Sequence, residues 1–401
     1  MIDGVSSMDE VYSVQSPARI EYGMGATGRL GAFADERGVG SALIVTDSDL
    51  VAAGVVDAPE AALADAGVDV EVFDGVAPEP KIHMAEDAAE RLRAGDHDLV
   101  VGVGGGSSMD TAKFASALAV HDVPSREMLG MGNVPGEGLE TALLPTTAGT
   151  GSEVTHIGVF ADTEDGGTKK VVYSRHLFAD LALVDPELTE TLPAPVAAAT
   201  GMDALTHAIE SYVSTLRTPY SDTLARRATE LIGDNLRRAV HAGDVDDRAR
   251  YGMSLAATTA GQAFVNSGLG AVHALTYPLG IEYHLGHGLA NAVLLPYVMS
   301  YNLPAEPDRY ADVARLLGRE RAPGEDTMDM AEKAVEAVAD LNDDIGIPGD
   351  IAGFGGMDES DFEHFTDIAF EYSEHNIDRN PRTLDREDVT TIFRNAYEGN
   401  L

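Results

Sequence analysis

The feature that most limits what this chain can fold into is a change of pattern part-way along it. In the first half, short β-branched runs alternate with alanine-rich stretches. Ala42–Thr46, Val68–Phe73, Leu99–Val103 and Thr141–Leu144 read as strands, with Ala58–Ala66, Ala85–Ala94 and Met109–Val120 as helices between them. Such alternation predicts a parallel α/β sheet. Three further apolar runs, Gly158–Phe160, Val171–Tyr173 and Leu181–Val184, extend the sheet region. After Asp185-Pro186 strand signals nearly vanish, and helical periodicity takes over from about Pro195. The expectation is an α/β domain over residues 1–187 and an all-helical domain over 188–401.

A length of 401 residues suits two domains, and 44% hydrophobic residues suffice for a sizeable core. The 67 acidic and 27 basic side chains give a formal net charge of −40, which excludes a nucleic-acid binder and argues against anionic membrane surfaces. With no cysteine, disulfides, thiolate metal sites and cysteine nucleophiles are excluded together. Acidic residues are scattered throughout, while lysine occurs only at Lys81, Lys113, Lys169, Lys170 and Lys333. Dispersed carboxylates keep a surface hydrated in concentrated salt, where screening within about 3 Å at 1 M makes their repulsion tolerable. This pattern reads as a cytoplasmic protein of a halophilic, archaeal cell. Met1–Tyr12 lacks the basic start and apolar segment of a targeting signal, and no apolar run reaches the roughly 18–20 residues of a membrane span.

Between the strand Leu99–Val103 and the helix from Met109 lies Gly102-Val-Gly104-Gly105-Gly106-Ser107-Ser108. Without Cβ atoms a backbone approaches a phosphate closely, and a helix start offers unpaired N–H groups to an anion. The spacing falls short of the dinucleotide fingerprint in its last position, so a structural glycine turn competes with a phosphate cradle. A second loop, Pro145-Thr-Thr-Ala-Gly-Thr-Gly-Ser-Glu153, follows the strand Thr141–Leu144 and carries hydroxyls on small residues. Two such loops at strand ends make a nucleotide crevice. Asp47 stands directly after Ala42–Thr46, placed either to accept bonds from a ribose or to cap the next helix.

In the second half, Asp203 and His207 are spaced i,i+4 and share a helix face. His273, His284 and His287 follow in an apolar stretch flanked by glycines. Three neutral imidazoles and one carboxylate suit Fe²⁺ or Zn²⁺ and leave room for a substrate oxygen. Taken singly, each histidine also reads as a core or helix-end residue.

Four segments together resemble the iron-containing (group III) alcohol dehydrogenases over nearly the whole chain. They are Gly104-Gly-Gly-Ser-x-x-Asp110-x-Ala-Lys113, Pro145–Glu153, Gly201-x-Asp203-Ala-x-x-His207-Ala-x-Glu210, and His273-x-x-x-x-Pro278-Leu-Gly through His287-Gly-x-x-Asn291-Ala. The resemblance implies a Rossmann-like NAD(P) domain followed by an all-α domain, in the dehydroquinate synthase-like superfold, with a metal in the cleft between them. It implies Asp203, His207, His273 and His287 as ligands of Fe²⁺ or Zn²⁺. It further implies Gly104, Gly105, Gly106 and Ser107 at the cofactor pyrophosphate with Asp110 nearby, Thr146, Thr147 and Thr150 along the cofactor, Lys169 at a ribose, and Asp47 at the position associated with NAD, NADP remaining open. A homodimer or larger homo-oligomer acting on a small alcohol or aldehyde is the expected form.

Three positions depart from the family's pattern. Tyr277 stands where many members carry a histidine linked to proton relay; a phenol relays through its hydroxyl but titrates near 10. Glu79 replaces an asparagine, and Gly286 a proline before the last histidine. His156 is a candidate for the substrate pocket or a plain loop histidine, and His284 reads as structural or as support behind the ligands. Rival readings are a metal-independent maleylacetate reductase, a dehydroquinate synthase-like cyclase, for which a basic cluster near the ligands is missing, and a nucleotide-binding protein without turnover.

Overall fold

The computed structural model describes residues 10–163 and 168–401, so Met1–Asp9 of the acidic N-terminal stretch lies outside the described residues. The chain divides into two compact units, Ser16–Leu192 and Pro193–Leu401, with the described residues up to Gln15 belonging to the latter. Gln15 is held there by its backbone, which exchanges bonds of 2.7 and 3.0 Å with the Asn266 side chain.

The first unit runs β1 (Ile20–Tyr22), α1 (Leu30–Arg37), β2 (Ser41–Asp47), α2 (Ser48–Ala52), α3 (Asp57–Asp65), β3 (Asp69–Val76), α4 (Ile82–Ala94), β4 (Leu99–Gly104) and α5 (Gly106–Val120). It continues with β5 (Gly130–Met131), β6 (Glu140–Pro145), β7 (Ile157–Asp162), β8 (Thr168–Tyr173) and β9 (Leu181–Val184). Six strands form one parallel sheet in the order β1-β9-β6-β4-β2-β3. Side chains alternate across a strand, so Leu43, Val45, Val100 and Leu143 enter one core while Ala42, Ile44, Val101 and Leu144 enter another. The first core is closed by α4 and α5, the second by α1 and α3. On α4 the seal comes from Ile82, Ala85, Ala89 and Leu92, a helical stripe whose truncation at Leu92 to alanine should cost about 2–5 kcal/mol.

One expectation is corrected here. Leu181–Val184 does join the main sheet, but Gly158–Phe160 and Val171–Tyr173 do not: β7 and β8 pair antiparallel and, with β5, form a separate three-stranded sheet. The five residues between Asp162 and Thr168 are too few for the crossover a parallel pair requires.

The second unit consists of helices α6 (Ala194–Val213), α7 (Pro219–Ala242), α8 (Asp247–Phe264), α9 (Ala271–Tyr283), α10 (His287–Asn302), α11 (Pro307–Leu316), α12 (Thr327–Asp344), α13 (Phe362–Ile377) and α14 (Arg386–Glu398). From Gly201 to Val213 every residue of α6 is buried, which makes it the central helix of this unit. Glycines allow its neighbours to close in. A Cβ at Gly201 would run into Leu236 of α7, and one at Gly288 of α10 into the carbonyl of Ala199 on α6. Among the described residues no helix is long and apolar enough to cross a membrane.

Candidate functional site

In the first unit the strand order turns between β2 and β4, since β3 lies on the far side of β2 from all later strands. Loops leaving the C-terminal ends on either side of such a point diverge and open a crevice. Asp47 ends β2, and Gly104–Gly106 connects β4 to α5. Gly104 has φ +151°, a conformation L side chains rarely adopt, and a Cβ there would stand 2.5 Å from Ser108 Oγ. Added Cβ atoms at Gly105 and Gly106 would lie 3.5 Å from Thr147 and 3.1 Å from Thr150, so the threonine loop forms a wall against the turn. Thr146 N donates to the Gly104 carbonyl at 3.0 Å, fixing that wall. The α5 N-terminus has no side-chain cap, which leaves first-turn N–H groups around Ser107 for an anion. Thr147 Oγ1, beside Gly105, is buried with no hydrogen-bond partner among the described residues.

Asp47 caps α2, accepting from Leu50 N at 2.9 Å through Oδ1, so the cap uses one oxygen of its carboxylate. Lys169 lies 3.4 Å from Glu79, which is held at φ +53° between Pro78 and Pro80. Asp110 and Lys113 are buried together behind the turn, 3.0 Å apart. His156 is not a plain loop histidine: it is 1% exposed and packs against Tyr173 and Phe178, with ring centroids 4.3 and 4.7 Å away. Burial, and then the nearby Lys113 ammonium, push its pKa down to about 4, so the ring is neutral.

In the second unit, α6 carries Asp203 and His207, α9 carries His273, and α10 begins at His287. The Nε2 atoms of His207, His273 and His287 lie 3.7, 3.9 and 3.8 Å from one oxygen, Asp203 Oδ1. Asp203, His273 and His287 offer ligand atoms that all fall within 4.8 Å of one another. His207 stacks on His273 at 4.8 Å and is backed by Phe264 at 4.5 Å. Burial alone would raise the Asp203 pKa, but the three imidazoles and the Asn291 amide hold it below the ordinary carboxylate range. His284, in contrast, is exposed and ends α9 in the left-handed conformation at φ +51°. Tyr277 sits one turn after His273 on α9, and burial raises its pKa, which keeps the phenol protonated at neutral pH.

Two further side chains complete this group. Glu210 follows Asp203 and His207 on the same face of α6, accepting from His273 Nδ1 and from Val272 N, each at 2.6 Å. Glu210 therefore holds the Nδ1 side of His273, which leaves Nε2 on the side of Asp203. Asn291, one turn after His287 on α10, donates to Asp203 Oδ1 at 2.7 Å and lies 3.2 and 3.3 Å from the Nε2 atoms of His287 and His273. Its Oδ1 is buried without a hydrogen-bond partner among the described residues. Three imidazole nitrogens converging on one carboxylate oxygen, with the Asn291 amide beside them, fit a divalent cation with nitrogen and oxygen ligands.

Comparison with known proteins supplies a second, independent line. The iron-containing alcohol dehydrogenase model matches residues 17–186, and the C-terminal model of the Fe-containing alcohol dehydrogenase family matches residues 197–397. The chain belongs to the iron-containing alcohol dehydrogenase family. Long-chain-alcohol dehydrogenase 1 of Geobacillus thermodenitrificans is 41% identical over 388 residues, 96% of each chain. A crystal structure of 1,3-propanediol oxidoreductase superposes with a TM-score of 0.93 at 39% identity, covering 97% of this chain and 100% of that one. An archaeal halo-thermophilic alcohol dehydrogenase from a Red Sea brine pool gives 0.88 at 28% identity, covering 97% and 99%. As an iron-containing alcohol dehydrogenase, the protein is an oxidoreductase acting on CH–OH groups with NAD(P). Within that family assignment, the supporting roles of Glu210 and Asn291 escaped the sequence reading, although the spacing carried a signal. Asp203, His207 and Glu210 stand at i, i+4 and i+7, and His287 and Asn291 at i and i+4, each a single helical stripe.

Proposed function

We propose that Asp203, His207, His273 and His287 hold one Fe²⁺ or Zn²⁺ ion, and that residues 16–192 form the nicotinamide-cofactor domain. The observation that carries the reading is the convergence of three imidazole nitrogens on Asp203 Oδ1 at 3.7–3.9 Å. When bound, the ion would supply Lewis-acid polarisation of the alcohol or carbonyl oxygen, and the nicotinamide would supply or accept the hydride. The chain's own part is positioning. Glu210 and Asn291 orient the ligand side chains. Gly104–Gly106 and the N–H groups near Ser107 receive the pyrophosphate, with Thr146, Thr147 and Thr150 as the facing wall. Lys169 reaches a ribose. The second Asp47 oxygen accepts from ribose hydroxyls and disfavours a 2′-phosphate, which makes NAD the preferred cofactor, with discrimination weakening at high salt. Tyr277 passes a proton through its hydroxyl oxygen.

The finer attributes belong to the same reading: a cytoplasmic, halophilic enzyme, a homodimer or higher homo-oligomer, acting on a small alcohol or aldehyde. Salt adaptation is supported by the net charge of −40 with only five lysines, and by the likeness to the brine-pool enzyme. The test is elemental analysis of protein purified anaerobically, without chelators, in high salt, followed by an alcohol and aldehyde panel with NADH and NADPH. About one iron or zinc per chain and metal-dependent turnover are expected. A metal-free protein that folds, binds NADH and reduces substrate overturns the ligand assignment.

A further inference from the structure

The family resemblance implies that Asp110 stands near the cofactor, but both of its carboxylate oxygens are engaged within the protein. Oδ1 accepts from Ser152 Oγ at 2.5 Å and lies 3.0 Å from Lys113 Nζ, while Oδ2 accepts from Val159 N at 3.0 Å. Lys113 is equally committed. Its side chain is fully buried, and Nζ donates to the Ile157 carbonyl at 2.5 Å, to Ser152 Oγ at 2.8 Å and to the Ser152 carbonyl at 3.1 Å. Neither group presents a free atom to a ligand, and a carboxylate facing a pyrophosphate would repel it.

These partners share one property. Ser152 ends the threonine loop, and Ile157 and Val159 begin the strand that leads away from it. Asp110 and Lys113 lie on the first two turns of α5, whose N-terminus is the glycine turn. The pair therefore ties the far end of the loop to the helix that carries the turn, while Thr146 N ties the near end to Gly104. Between those two anchors stand Thr147 and Thr150, the residues that face Gly105 and Gly106.

We infer that Asp110 and Lys113 are positioning residues for the nicotinamide cofactor, a buried clamp that fixes the threonine wall against the glycine turn and thereby sets cofactor affinity. The inference rests on the proposed cofactor role of that turn. Being buried, the ion pair is screened little by salt, unlike surface charges.

The test uses the full-length, metal-loaded enzyme and NADH fluorescence titration. Removing one charge strands the other, so the first variant is the double replacement Asp110→Asn with Lys113→Met, which removes both charges while nearly keeping volume. The second is Ser152→Ala, a small truncation that removes the hydroxyl shared by both charged groups. The expected result is a rise in NADH Kd of about tenfold for the double variant and about threefold for Ser152→Ala. KM for NADH should rise in step, with kcat at saturating NADH and metal content unchanged. Folded variants that bind NADH as the unaltered enzyme does, even with a lower melting temperature, would show a merely structural role and overturn the inference. If the double variant does not fold, Ser152→Ala decides alone. Failure of the unaltered enzyme to bind NADH overturns the functional reading itself, and this inference with it.

Discussion

Around Gly104–Gly106 the groups on offer to a ligand are main-chain N–H and small hydroxyls, whereas around Asp203 every candidate donor is a side chain at the end of a helical stripe. In the proposed roles the first region depends on missing side chains, so addition should damage it; the second depends on side chains that are present, so removal should damage it. The two also use charge differently. Behind the glycine turn, Asp110 and Lys113 neutralise one another within the fold. At Asp203 the carboxylate is surrounded by imidazoles and an amide, and among the described residues it has no lysine or arginine partner.

The sharpest way to break this comparison is to injure one region and watch the other. His273→Ala should lower turnover by about a thousandfold, corresponding to loss of roughly 4 kcal/mol of transition-state stabilisation, while NADH binding by fluorescence stays unchanged. A parallel loss of NADH affinity would show that the two regions are not separable. Glu210→Gln keeps shape but weakens the hold on His273, and should lower metal affinity by about 10–100-fold in a chelator competition. In the other direction, Gly104→Ala places a Cβ at φ +151° against Ser108. Strain of about 1–3 kcal/mol should appear as weaker NADH binding, with one metal ion per chain retained.

A pH dependence belongs to the first region. His156 binds a proton in the unfolded chain below about pH 6.5 but in the folded chain only below about 4. Between those values the unfolded state holds more protons, so stability falls as pH falls, by about 1.4 kcal/mol per unit for this group. Thermal melts of the native protein and His156→Gln should differ in slope across that window and run parallel above it. The smallest expected effect is a gain. Gly286 has φ −56° with nothing near a built Cβ, so Gly286→Pro should stabilise the fold by about 0.4–1 kcal/mol and leave metal content unchanged.

What could be read in the sequence follows from the range of the interactions involved. The strand Leu99–Val103 and its glycine turn declare themselves within a few residues, as does the Asp203–His207 pair on one helix turn. The strand β1 is only Ile20–Tyr22 and exists because it pairs with β9, whose partner residues begin at Ala182, so no local pattern announces it. The family resemblance put Asp110 near the cofactor, yet its partners Ser152 and Val159 lie 42 and 49 residues away, out of reach of any local pattern. The same limit hid the β7–β8 pairing, where composition marked two strands but not which sheet they would join.

The four candidate ligands are not equally held. Asp203, His207 and His273 have side chains only 4–5% exposed, whereas His287 is 43% exposed and is the first residue of α10, behind a glycine with no side-chain cap. Helix ends open far more often than helix interiors. An ion held by these four side chains would therefore begin to exchange at His287, and chelator stripping would follow fraying of the first turn of α10 rather than the affinity of the buried trio.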